Sequence, residues 1–182
     1  MNFKIDIIWS RKENGLWVLE KQHQANSLVK AYAQAMIYNL SVVNVASAID
    51  TGNTSRTITS YTIMEAIAGE YLYGIVVGTG TNAVTISDYK LQTRIAHGTG
   101  AGELSYGAVV FPANVTVSGS TCYFDVTRPF TNGSGSSITI NEVGIYAKTS
   151  TGYYFCFDRT LSTVTIADGE TKTATYRLSF SV

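Results

Sequence analysis

The chain has 182 residues, thirteen basic against thirteen acidic side chains, and only 14% charged residues, where an average domain has about 25%. That length fits one domain, and the neutral, weakly charged composition excludes general nucleic-acid binding by phosphate neutralisation and polybasic membrane-surface binding. A hydrophobic content of 45% excludes a disordered chain, and no apolar run approaches the ~18 residues of a membrane span.

From the N-terminus, Phe3, Ile5, Ile7 and Trp9 alternate with Lys4 and Asp6, the period of a half-buried strand. The same charges, and the lack of a small-residue cleavage site, argue against a secretory signal. Asn14-Gly15 supplies the positive-φ pair of a tight hairpin turn, and Leu16-Trp-Val-Leu19 reads as the returning strand. The one convincing helix follows. Asn26 or Ser27 is its N-cap, and Leu28, Tyr32, Ala35, Met36 and Leu40 recur at helical spacing until about Asn39 to Ser41. Its apolar stripe must cover either its own sheet or a neighbouring subunit.

Residues 42–72 carry weak signals: a loop at Asp50-Thr-Gly-Asn-Thr-Ser55, a weak alternation over Thr57 to Met64, and a turn around Gly69. From Tyr73 the chain reads as β. Tyr73-Gly-Ile-Val-Val-Gly-Thr79 is a continuous apolar run, as for a strand buried on both faces. Asp88 to Ile95 places Leu91 and Ile95 on one helical face and predicts one or two helical turns. Val115 to Val117 and Cys122 to Thr127 flank Ser118-Gly-Ser120 as a hairpin. Ile138 to Ala147, Tyr153 to Asp158, Val164 to Ile166 and Thr173 to Val182 read as the last strands. Seven to nine short strands bounded by turn chemistry predict a mainly β chain, an antiparallel β-sandwich (jelly-roll-like) with an N-terminal hairpin and one α-helix. Cys122 and Cys156 read as two buried thiols in preference to a bridge.

The chemistry-bearing patterns are sparse. Gly78-Thr-Gly80 lacks the third glycine of a dinucleotide loop, because position 83 is Ala, and no Walker-type Gly-Lys-Ser/Thr occurs. His23 and His97 have no second ligand at metal spacing. The acids stand singly and no nucleophile elbow is present. The expectation is therefore no catalytic residue, no cofactor and no metal. Twelve tyrosines leave a carbohydrate-binding sandwich, using exposed rings such as Tyr153 and Tyr154, as a reading of another class.

One ordered set of short patterns spans residues 74–182, about 60% of the chain. It runs Gly74-Ile-Val-Val-Gly-Thr-Gly80, Asp88-Tyr-Lys-Leu91, Arg128-Pro-Phe-Thr-Asn132, Ile138-Thr-Ile-Asn-Glu-Val-Gly-Ile-Tyr146, Tyr154-Phe-Cys-Phe-Asp-Arg159 and Thr173-Ala-Thr-Tyr-Arg-Leu-Ser-Phe180. This set resembles small structural proteins of tailed-bacteriophage particles, in particular the N-terminal attachment module of phage tail-fibre proteins. There an apolar strand ending in a Gly-x-Gly turn is followed by a Leu and then by Glu-x-Gly-Leu-Tyr. Here the last piece is Glu142-Val-Gly-Ile-Tyr146, with Ile for Leu. The N-terminal third departs from that module, and no repetitive shaft is present.

The resemblance implies a non-enzymatic virion structural protein, a tail, neck or fibre-attachment component with capsid decoration as the alternative placement. Such a protein is assembled in the host bacterial cytoplasm and partners itself and other virion proteins, with neither nucleic acid nor membrane. The implied organisation is an assembly element at residues 1–45, with Leu28, Tyr32 and Met36 as interface candidates, and a sandwich at residues 46–182. Within the sandwich, Gly144 admits a close neighbour, and Glu142 is paired with an arginine, Arg159 or Arg128.

Overall fold

A computed structural model describes residues 2–25, 30–41, 44–59 and 62–182. The N-terminal hairpin is β1 (Asn2–Glu13) and β2 (Leu16–Ala25). Asn14 and Gly15 at its turn have φ of 49° and 83°, the pair of left-handed residues that matches the twist of the flanking strands. Helix α1 (Lys30–Ser41) follows, then the small strands β3 (Val45–Ile49), β4 (Ser55–Ile58) and β5 (Thr62–Ile63). Strand β6 (Gly74–Gly78) is buried at every position. It precedes a long connection that leads to β7 (Ser105–Tyr106), β8 (Thr116–Ser118) and β9 (Thr121–Thr131). Three long strands close the chain: β10 (Ile138–Thr149), β11 (Tyr154–Ile166) and β12 (Thr171–Ser181).

All the strand pairs among the described residues are antiparallel. One sheet has the order β2-β1-β12-β9-β7, with β8 also on β9. The second has β10 in its centre, with β11 on one side and β6 and β5 on the other. β3 and β4 form a separate pair. The two large sheets face each other as an antiparallel sandwich. Ile5, Ile7, Trp9, Val126, Ala174 and Tyr176 of the first sheet share one core with Val77, Ile145, Phe155 and Phe157 of the second. Trp9 Nε1 donates to Ser162 Oγ across the gap at 2.8 Å.

Three sequence expectations are corrected. The division near residue 45 does not separate an appendage from a sandwich, because β1 lies between β2 and β12 and pairs with β12 from Asn2 to Arg11. Its inward residues Ile5, Ile7 and Trp9 are core. Asp88 to Ile95 forms no helical turn; the backbone N–H groups of Gln92 and Thr93 donate to Glu142 instead. The segments Tyr153 to Asp158 and Val164 to Ile166 are one strand, β11. The apolar alternation fades between them because the buried positions there are Thr160 and Ser162, while Leu161 is exposed.

Candidate functional site

A buried polar cluster lies on the face of β10 turned away from the first sheet. Val143 and Ile145 point into the sandwich, so the alternation of the strand sends Glu142 and Gly144 to the other side. Glu142 is fully buried and accepts from four donors. Arg159 Nε approaches Oε2 at 2.7 Å. The backbone N–H groups of Gly80, Thr93 and Gln92 complete the shell at 3.1, 2.9 and 3.2 Å. Arg159 spends its other nitrogens on Asp88 Oδ2 at 2.8 Å, the Asn82 carbonyl at 2.9 Å and the Ala83 carbonyl. Burial works against the charge on Asp88. The Thr85 backbone, the Arg159 guanidinium and the Thr85 hydroxyl outweigh it and hold this carboxyl below its ordinary range.

Two glycines line the carboxylate. A Cβ on Gly80 would lie 2.5 Å from Glu142 Oε1 and 2.6 Å from Gln92 Cβ, and one on Gly78 would lie 2.5 Å from the Thr93 carbonyl oxygen and 2.6 Å from Glu142 Oε1. Gly144 makes room for Leu91, whose Cδ2 would be 3.1 Å from an added Cβ; the Asp158 carbonyl would be at 2.7 Å. Tyr146 hydroxyl accepts the Leu91 N–H. Thus Gly78, Gly80, Leu91, Glu142, Gly144, Tyr146 and Arg159, distant in sequence, meet at one buried node that ties the segment 79–95 onto the second sheet.

Arg128 is not part of it. It is fully buried on β9 and reaches backbone carbonyls only: Gly107 at 2.8 Å, Ile75 at 2.9 Å, Tyr73 at 3.0 Å, Ile67 and Glu70. Burial pulls its pKa down to about 10, and the Tyr106 ring lies 4.8 Å from its guanidinium carbon. The expected choice between Arg128 and Arg159 as partner of Glu142 thus falls to Arg159. Arg128 instead binds β9 to the start of β6 and the loop before it.

A second buried group lies between the sheets. Asp158 accepts from Tyr176 hydroxyl at 2.9 Å and from Thr160 hydroxyl at 3.1 Å, both on Oδ2. Its Oδ1 has no hydrogen-bond partner among the described residues. Desolvation pushes this carboxyl up to about 6, against the pull of those two hydroxyls. Cys156 is buried and Cys122 half-buried, and both are free thiols.

Of the helix candidates, Leu28 lies outside the described residues. Tyr32 packs edge-on against Phe157 of β11 at 5.6 Å, and Ala31 and Ala35 are buried, so the apolar side of α1 covers its own domain. Met36 is 42% exposed. Tyr154 stacks on Tyr73 at 6.2 Å, and the Arg56 guanidinium sits 4.2 Å over Tyr153. The hairpin tip was not singled out as a surface by sequence reading, yet Leu16, Trp17 and Leu19 are 72%, 51% and 60% exposed. Four apolar residues in succession on a strand are the signal that could have found it.

Among the described residues, no group of three or more His, Cys, Asp or Glu side chains could hold a metal ion, and no helix is long and apolar enough to cross a membrane. No protein-family model, curated protein or solved structure matches this chain.

Proposed function

We propose that this chain is a non-enzymatic structural protein of a tailed-bacteriophage particle, a tail, neck or fibre-attachment component that associates with itself and docks on other particle proteins. One observation carries the reading. Most of the short patterns on which the tail-fibre resemblance rests, the Gly-x-Gly turn, the Leu, the Glu-x-Gly-Ile-Tyr segment and the Arg after the Tyr-Phe-Cys-Phe-Asp run, converge on the Glu142 node. Random β composition would scatter them. Turn glycines and strand tyrosines arise in any sandwich, but a buried carboxylate packed against both glycines and paired with an arginine is a single device.

The surface supports the docking half of the reading. Among the described residues β2 is the edge of its sheet, with no strand on its outer side, and Leu16, Trp17 and Leu19 stand exposed near its turn. Long apolar edges are templates for pairing with another chain. The test is light scattering on the purified protein together with immunodetection in purified particles. The expected result is an oligomer that is also particle-associated, and Trp17→Ser shifts it toward monomer. A strictly monomeric protein absent from particles overturns the proposal.

A further inference from the structure

The segment that Glu142 anchors also rims a polar groove of about 310 Å³, lined by Thr51, Tyr71, Lys90, Gln92, Arg94 and Tyr146 among others. Two of these are cations and none is an acid. Neither cation forms an ion pair among the described residues; each lies beside a tyrosine ring, Lys90 Nζ 5.7 Å from the centroid of Tyr89 and the Arg94 guanidinium 5.0 Å from that of Tyr71. Asp50, beside Thr51, is engaged by Arg56 at 2.9 Å and by two backbone N–H groups; Glu70, beside Tyr71, accepts the Leu72 N–H at 2.7 Å; and Asp88, two residues before Lys90, pairs with Arg159 at 2.8 Å. Among the described residues no acid lines the groove, and these neighbouring carboxylates are engaged elsewhere.

We infer that this groove binds a hydroxylated sugar ring carrying one anionic group, with Lys90 and Arg94 meeting the anion and Thr51, Gln92 and Tyr71 meeting ring hydroxyls. Charge alone would suit any anion, but the rest of the lining decides the class. A guanidinium presents forked donors suited to carboxylate or phosphate oxygens, and ligand sites of a few hundred Å³ set orientation with a few placed polar groups. Gln92 Oε1 already accepts from Asn82 N–H, which leaves its NH₂ as the group to donate. The backbone beneath Gln92 is held by the buried Glu142, so this edge of the groove is set before a ligand arrives, and little ordering cost falls on binding. A flat, apolar protein partner would need none of these features. The assignment does not depend on the chain being a particle protein.

The test is titration of the full-length protein, followed by amide NMR, with D-glucuronate, glucose 6-phosphate, glucose, acetate, inorganic phosphate and triglutamate. Saturable shifts of the Gln92 and Arg94 amides are expected with glucuronate or glucose 6-phosphate. Whichever of the two binds identifies the anion as carboxylate or phosphate. Glucose and the bare anions should bind at least about tenfold more weakly, and Arg94→Gln should weaken the sugar acid by about tenfold. Lys90→Gln, at an exposed position where folding is not at stake, should weaken it severalfold. The inference is overturned if acetate or phosphate alone matches the sugar acid, if triglutamate binds more tightly, if neither sugar acid binds, or if Lys90→Gln and Arg94→Gln leave affinity unchanged.

Discussion

Arg159 Nε lies 2.7 Å from Glu142 Oε2, and the two side chains are 1% and 0% exposed. Removing one partner of such a pair leaves an uncompensated buried charge and costs about 3–5 kcal/mol. In a domain of this size each kcal/mol is worth about 2–4 °C in melting temperature. Glu142→Ala should therefore lower Tm by roughly 6–20 °C. Glu142→Gln, whose amide oxygen can still accept the Gly80 and Thr93 N–H groups, should cost less. Calorimetry of both variants checks this; equal and negligible shifts would mean that the node does not hold the 79–95 segment.

Gly144 gives an independent reading of the same contact. A Cβ there would meet the Asp158 carbonyl at 2.7 Å, and that atom is backbone, so it cannot swing away. Gly144→Val should destabilise by about 1–3 kcal/mol or more, and the Leu91 amide should lose exchange protection as Leu91 is displaced. Unchanged protection at Leu91 would place the two segments apart.

Asp158 predicts a pH dependence with a definite sign. Its folded-state pKa of about 6 stands above the ordinary 3.8. The folded protein therefore binds this proton more tightly than the unfolded chain does. That contribution is fully present below pH 3.8 and is lost as pH rises through 6, in all about 3 kcal/mol. Desolvation lowers His23 and acts in the opposite sense, and the lowered Asp50 and Asp88 lose their stabilisation in acid. The difference between wild type and Asp158→Asn isolates the group. Asp158→Asn should gain on the parent as pH is raised from 4 to 8, measured by urea unfolding. A flat difference would show that Asp158 keeps an ordinary carboxyl pKa.

The position of β1 predicts the outcome of truncation. Deleting residues 1–45 removes the strand between β2 and β12, together with Ile5, Ile7 and Trp9 from the core, and exposes the whole inner edge of β12. The truncated chain should fail to fold, with loss of near-ultraviolet circular dichroism and of chemical-shift dispersion. A folded, soluble 46–182 fragment would contradict the sheet order.

The alternation of Phe3 to Trp9, the Asn14-Gly15 turn, the buried run at β6 and the hairpin after Val117 were legible in sequence because each is governed by local chemistry. A period-2 pattern, a positive-φ pair and a glycine-serine turn need no partner to be recognised. The pairing of Glu142 with an arginine was legible as a need, because a carboxylate among Ile140 and Val143 has to be compensated. Which arginine answers it was decided by register alone. Gly144 lies opposite Arg159 in the β10–β11 pair, whereas Arg128 is on the other sheet and meets carbonyls. The same holds for β1 and for the segment 88–95. Joining β1 to β12 brings together residues some 170 positions apart, and Leu91 and Ile95 have helical spacing only until the carboxylate of Glu142 claims the backbone N–H groups that a helix would use. Local pattern determined where strands and turns form. Long-range hydrogen bonding, which depends on groups a local window never contains, decided which strands are neighbours, which charges meet and which cations are left to face the groove.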